Sequence, residues 1–501
     1  MKDQKLLSVC LTYVNLILNS VISIFFTPFL ISSLGVAEYG IYQLISSFAG
    51  YLIIMNFGVG TIITRNITRY ITLGDKKGQE NFLFLAMVIT GVLLVLLGGV
   101  SIGMYFGIDP LYATKMTASE LANAKHLYIL MCFNIGFSLI VNSFSGIINA
   151  YEKFAVNNSF QILKYLLRIV TLVLLLNLGF KSFAIVLTDL LLTLLVLALD
   201  LIYCFKSLGI RIRFHFWDGV LLRTSMVFAL SIFLQSIVSQ VNNNLDRVIL
   251  GAMTTTTVVA VYSISLTLYS MFASVTGAIS SVFLPKATRL LTKGASPKAM
   301  TDLIIRPGRI QFMISCLFIS GFVIFGRNFL LNWVGPRFQD AYLPTIILFV
   351  PLGIMTSQGV VDAVLDAMMK RLVRSVVLVF MAALNVLLSI FLVRHIGFIG
   401  AAIGTAASIF TGHILIMGIY YQRVIKLQMM RLYKEIYLRT ALITLVLGTG
   451  AYLLLSSHSV GWIALMAECA AYTVIFALSM FFLGMTNEEK TYVKRKLRVR
   501  A

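Results

Sequence analysis

Residues 82–107 read FLFLAMVITGVLLVLLGGVSIGMYFG, twenty-six positions without a charged side chain. A helix needs about 20 apolar residues to cross a hydrocarbon core roughly 30 Å thick, so this stretch alone can span a bilayer. Asp75, Lys76, Lys77 and Glu80 stand just before it, so the run begins abruptly out of charge. Thirteen further apolar runs surround it, at 7–33, 39–61, 122–150, 155–177, 182–205, 222–250, 258–283, 310–332, 341–368, 373–392, 399–421, 436–456 and 461–484. The expected fold is therefore an all-α polytopic membrane protein of about 14 transmembrane helices.

The composition agrees. Of 501 residues, 59% are hydrophobic and only 12% charged, against about 45–50% and 25% in soluble domains. The loops are short, which leaves no room for a separate water-soluble domain. A formal charge of +21 would suggest nucleic acid in a soluble protein. Here its distribution gives another reason. With the N-terminus inside, 31 basic residues fall in inward segments and 6 in outward ones (Lys115, Lys125, Lys181, Arg327, Arg337, Arg394). Such a bias assigns both termini to the cytosol. Lys2 and Lys5 precede an apolar run too long for a signal peptide and without a clean cleavage site, so that run reads as the first span. Cys10, Cys132, Cys204, Cys316 and Cys469 lie in or at the ends of spans without metal-ligand spacing and read as buried thiols. Trp217, Trp333 and Trp462 fall near span ends, where an interfacial belt would place them.

The expected organisation is an N-terminal six-helix lobe over 1–205, a cytosolic interfacial linker over 206–222 and a second six-helix lobe over 223–430. An extra helix pair over 431–484 and a basic cytosolic tail over 485–501 follow. Arg211, Arg213 and His215 alternate with Ile212, Phe214 and Phe216 in the linker, a pattern suited to the membrane surface. At an offset of 220, Asn15 meets Gln235, Tyr42 meets Tyr262 and Arg69 meets Arg289, a faint echo between the lobes. Two related bundles with a site between them are a common transporter plan.

Polar side chains inside spans are costly and face a cavity or a partner helix. Span one carries Thr12, Asn15, Asn19 and Ser23; span four carries Ser138, Asn142, Ser145 and Asn149. Span seven carries Ser231, Gln235, Ser239, Asn242 and Asp246 on one helical face, with Arg247 beside them. Ordinary helix–helix hydrogen bonding, about 0.6 kcal/mol per contact, accounts for the first two stripes as well as a cavity does. The span-seven stripe is too polar for one dry interface. Among cations, Lys164 and Arg168 share a face of span five, Arg247 lies in span seven, and Arg65 and Arg69 lie at the inner end of span two. A cationic pocket suits an anion, ideally a phosphate that Arg grips at two points. Snorkelling to headgroups explains Arg289 and Arg69 better than it explains Lys164 or Arg168. Asp189, Asp362 and Glu468 are candidates for a coupling proton or sodium ion, whereas Asp200 and Asp366 read as solvated near the inner surface. Pro351 is a candidate break in span ten.

Catalysis is not expected. His413 is the one histidine deep in a span, without metal-ligand spacing, and a GxxxxGK[ST] loop is absent. The longest outer segment, Gly107–Leu121, is too small for a ligase or glycosyltransferase site. Neither cofactor nor metal is expected.

Residues 27–42, TPFLISSLGVAEYGIY, resemble the start of the polysaccharide-transporter branch of the MOP superfamily, the Wzx-type flippases. Asn56-Phe57-Gly58-Val59-Gly60 resembles the end of that family's second helix. Residues 243–251, NNLDRVILG, resemble its seventh-helix signature, and Phe283-Leu284-Pro285 the end of helix eight. The resemblance implies two six-helix lobes around a V-shaped cavity, alternating access, and export of undecaprenyl-diphosphate-linked oligosaccharide repeat units across the cytoplasmic membrane of a bacterium. The extra C-terminal pair resembles lipid II flippases, and multidrug antiporters share the superfamily; both are alternatives. The implied site has Arg65, Lys164, Arg168 and Arg247 for the diphosphate. Asn15, Asn19, Asn142, Gln235, Ser239, Asn242 and Asp246 would line the cavity. The implied partners are the polyprenyl-diphosphate-linked glycan, membrane lipids, a coupling proton or sodium ion and other polysaccharide assembly proteins; nucleic acid is not among them.

Overall fold

A computed structural model describes residues 24–217, 219–277, 296–368, 371–455, 461–486 and 489–491. The described residues are helical, with short turns and one extended linker. Among the described residues, twelve helices are long and apolar enough to cross a membrane. The other two expected spans coincide with the short apolar helix α1, Ile24–Leu34, and with α8, Gly219–Met253.

The chain divides into two compact units, Met1–Ala260 and Val261–Ala501. The first continues from α1 through α2 (Val36–Gly50), α3 (Val59–Leu73), α4 (Lys76–Tyr112), α5 (Ala118–Ala150), α6 (Phe154–Asn177), α7 (Lys181–Ile202) and α8. Helix ends follow local chemistry. Asp75 caps α4 by accepting from the Gly78 amide at 2.8 Å. Thr117 and Glu120 form a reciprocal capping box at the start of α5. Small residues set the helix crossings: a Cβ on Gly60 of α3 would stand 2.6 Å from the Asn142 carbonyl oxygen of α5. Thr64 adds a hydrogen bond to the Gly146 carbonyl at 2.9 Å. Val59, Ile63, Ile67, Phe82, Leu139 and Ile147 pack the core of this α3–α4–α5 layer.

The Asn56-Phe57-Gly58 motif closes the helical run Val36–Asn56, and a separate helix, α3, begins at Val59. Tyr51–Asn56 forms a tight 3-10 segment, and Phe57 and Gly58 then take left-handed φ angles of 47° and 65°. A bulky residue resists that conformation by about 1–2 kcal/mol. The Phe57 ring stacks on Phe233 of α8, centroids 4.3 Å apart, which offsets part of the cost.

The linker between α7 and α8 is clamped by Asn81, which is buried. Its side-chain oxygen accepts from the His215 and Phe216 amides at 2.9 and 3.0 Å, and its amide donates to the Phe216 carbonyl at 2.8 Å. Ile210 is buried, while Arg211, Arg213 and the Phe214 and Trp217 rings stay exposed. Glu80 holds the His215 ring at 3.0 Å.

In the second unit, after α9 (Thr256–Gly277, which begins in the first), the central rod is α10, Pro297–Val334, capped by Ser296 and started by Pro297. Around it lie α11 (Tyr342–Ser357), α12 (Gly359–Ala367), α13 (Arg371–Ile396), α14 (Ile399–Ile409), α15 (Met417–Arg423), α16 (Met429–Tyr433), α17 (Arg439–Leu455) and α18 (Trp462–Ser479). The tenth span breaks at Gln358, not at Pro351, which α11 passes through. Ser357 turns its hydroxyl back to Ile354, and the Tyr437 hydroxyl meets Ser357 at 2.9 Å and Gln358 at 3.3 Å, satisfying groups freed by the break. Trp333 is buried and stacked on Phe329, so it is a packing group and no interfacial anchor; Trp217 and Trp462 are exposed.

Candidate functional site

The polar groups of the first unit gather where α6 and α7 run antiparallel. Lys164 and Arg168 are four residues apart on α6, and Asp189 and Thr193 four apart on α7, so each pair shares a face. Opposed, they form two rungs. Arg168 Nη2 donates to Asp189 Oδ2 at 2.9 Å. Its Nε stands 2.7 Å from Asp189 Oδ1 without the alignment of a hydrogen bond. Lys164 Nζ donates to Thr193 Oγ1 at 3.1 Å. The Arg168 and Asp189 side chains keep 31% and 25% of their exposure, so the pair is neither sealed nor fully solvated.

Helix α2 extends this group. Tyr42 packs against the Leu172, Ala184 and Ile185 cluster of α6 and α7. Its hydroxyl lies in the electrostatic field of Asp189, Arg168 and Arg247. Arg247 of α8 donates from Nη1 to Ser47 of α2 at 3.2 Å. Asp246 beside it is only 4% exposed. The Tyr39 hydroxyl accepts from Gln43 at 2.7 Å. Of the expected cations, Arg247 thus bonds α2, Arg168 lies near Tyr42 of α2, and Lys164 stays beside Arg168 on α6, with the expected acid Asp189 as Arg168's counter-ion.

Other expected residues lie elsewhere. Arg65 is on the exposed face of α3 and Asn142 on an exposed face of α5. Ser239 is exposed and accepts from Asn243 at 3.4 Å. Glu468 of α18 is half-buried, with Oε2 unbonded among the described residues. Asn15 and Asn19, and the side chains of Gln235, Asn242 and Asp362, lie outside the described residues.

Sequence reading missed Tyr42, Ser47 and Thr193. Thr193 had a signal: its spacing from Asp189 matches that of Lys164 from Arg168. It also missed Glu38, whose carboxylate accepts from Asn123 of α5 at 2.7 Å and from Ser182 of α7, tying three helices at one end of the unit. Asp200 is corrected outright. It has no solvent exposure, where solvation was expected.

A separate groove of ~540 Å³ runs between α4 and α5, lined by Leu94, Leu97, Ile102, Phe106, Ile129 and Phe133. Its walls are mainly apolar and suit hydrocarbon.

Comparison with known proteins agrees with this architecture. A family model described as polysaccharide biosynthesis protein matches residues 8–291, more than half of the chain. The uncharacterized membrane protein EpsK of Bacillus subtilis (strain 168) is 21% identical over 96% of each chain. Among solved structures, the lipid II flippase MurJ in an inward closed conformation superposes with a TM-score of 0.71 at 14% identity, covering 95% of this chain and 99% of that one. An inward-facing multidrug resistance MATE family transporter of the MOP superfamily gives 0.64 at 17% identity, covering 84% and 96%. At these identities the two likenesses establish the fold.

Proposed function

The chain belongs to the polysaccharide biosynthesis protein family, a multi-pass membrane protein with the MOP-type fold, and from that premise we propose that it is a flippase. Its substrate in this reading is a polyprenyl-diphosphate-linked oligosaccharide, moved outward across a bacterial cytoplasmic membrane by alternating access. The observation that carries the reading is the two-point approach of Arg168 to Asp189 beside Lys164. A guanidinium fork held against a carboxylate has the geometry with which it grips a phosphate oxygen pair. In this structure Asp189 occupies that fork; in this reading an arriving diphosphate takes its place, helped by Lys164 and Arg247. The sugar lies against uncharged Asn, Ser and Tyr side chains, and the prenyl chain stays in lipid. An inside-negative potential favours outward movement by about 2.3 kcal/mol per negative charge per 100 mV.

A multidrug antiporter would need a carboxylate open to an organic cation. Asp189 is engaged on both oxygens by Arg168, which argues against that role for it.

The test is a deletion strain complemented with Lys164→Gln, Arg168→Gln and Arg247→Gln, each checked for membrane insertion. The expected result is lipid-linked glycan accumulating in the inner leaflet and loss of surface polysaccharide. Normal surface polysaccharide in all three variants would overturn the charged-site reading. Resistance to cationic compounds on overexpression would favour the antiporter instead.

A further inference from the structure

At the end of the first unit that carries the 151–153 turn, three helices bury a carboxyl group that the proposed transport site does not use. Asp200 of α7 has no solvent exposure. Its Oδ2 lies 3.0 Å from the Ser145 hydroxyl of α5, and its Oδ1 has no hydrogen-bond partner among the described residues. The same Ser145 hydroxyl lies 3.3 Å from Asn157 Oδ1 of α6, whose amide donates to Asn149 Oδ1 at 3.2 Å. Among the described residues Asp200 makes no ion pair. The charged groups of the adjoining turns, Glu152, Lys153 and Lys206, are exposed, and the titratable group that feels its charge is the buried Cys204 thiol, four residues on.

With the two amides oriented as placed, the hydrogens do not suffice for an ionised Asp200. A hydroxyl has one proton, yet Ser145 stands at hydrogen-bonding distance from two acceptors. One added proton completes the chain: Asp200 donates to Ser145, Ser145 to Asn157, and Asn157 to Asn149. Turning both amides over reverses the Asn links, but then a fully buried carboxylate would rest on a single hydrogen bond. An isolated buried carboxylate is far more costly than its neutral form, so burial selects the acid in either arrangement.

We propose that Asp200, with Ser145, Asn157 and Asn149, is a proton-binding site, loaded in this conformation, whose proton leaves when water enters between α5, α6 and α7. The linkage is reciprocal: the closed junction holds the proton, and removing the proton favours the open junction. Directly after Asp200 the backbone widens into a π-helical turn, Tyr203–Ser207, a helical irregularity that recurs at functional sites. The site gives the chain a place to couple proton release to movement at this end. It does not depend on which substrate is carried.

The test is infrared difference spectroscopy on the full-length protein in nanodiscs during a pH increase. The expected result is a carboxylic-acid carbonyl band at neutral pH that fades as pH rises and is missing from Asp200→Asn. Ser145→Ala, which leaves the carboxyl in place, should move the band to higher frequency because the acid loses its acceptor. Site-resolved maleimide labelling of Cys204 should rise more steeply with pH in the native protein than in Asp200→Asn. If the neutral-pH spectrum has no Asp200-dependent band, the group is ionised and the proposal fails. Thermal stabilisation by sodium over choline that disappears in Asp200→Asn would make this a metal-cation site and overturn it equally. Identical Cys204 labelling profiles would overturn the coupling to opening.

Discussion

Arg168 in the first unit and Arg309 in the second both lie within long helices among other helices, yet they are bonded in opposite ways. Arg168 faces a side-chain carboxylate across a helix pair and keeps 31% of its exposure. Arg309 is buried, donates to the Gly484 carbonyl at 2.6 Å and stands 3.4 Å from Glu489. A carboxylate on a side chain can swing aside for another anion. A backbone carbonyl at a helix end cannot be displaced without unwinding that end. Arg309 therefore fastens the segment after α18 onto α10, while Arg168 is placed to exchange partners. Other polar ties of the second unit run between side chains. The Tyr472 hydroxyl donates to Ser320 at 2.7 Å, and Arg431 bridges Asp302 and Glu435 at 2.7 and 2.6 Å.

The sharpest way to break this contrast is Arg309→Gln. Removing one member of a buried pair costs about 3–5 kcal/mol. The variant should lose much of its folded yield and melt well below the native protein, while the folded fraction binds substrate unchanged. A substrate-binding defect without a melting shift would reverse the roles. Next comes Arg168→Gln, where losing a charged two-point contact of about 2 kcal/mol predicts roughly a 30-fold weaker grip on a diphosphate. Its thermal stability should move little, because the half-exposed Asp189 left behind retains contact with water. Lys164→Gln should weaken binding by about tenfold, since one hydrogen bond from a charged donor is worth ~1.5 kcal/mol. The smallest effect is expected of Glu80→Gln, which removes an exposed bridge to His215 worth at most ~1 kcal/mol. Asn81→Ala should by contrast free the 211–217 linker to limited proteolysis.

The spans were legible because lipid leaves the backbone few options: a run such as 82–107 has no stable form but a helix. Lys164 and Arg168 were legible because a charge in mid-span is rarely neutral in meaning. Pairing was not legible. Nothing in the spacing of Asp189 alone says that it meets Arg168 rather than an ion, since that depends on α6 and α7 lying antiparallel in one register. Asp200 was misread because its distance from the span end suggested water, whereas Ser145 and Asn157 on neighbouring helices close over it. The Asn56-Phe57-Gly58 motif was visible as a signature, but the left-handed turn it makes before α3 was not. Trp333 sits near a span end by count, yet it is turned inward onto Phe329.

Exchange at Arg168 is the claim on which the transport reading depends, and equilibrium binding of a short-chain polyprenyl diphosphate to the purified full-length protein tests it most directly. If Asp189 is the counter-ion that substrate displaces, Asp189→Asn should bind tighter than the native protein and Arg168→Gln weaker, with a smaller spread for the monophosphate. Equal affinities in all three proteins, or parallel weakening of both variants, would contradict it.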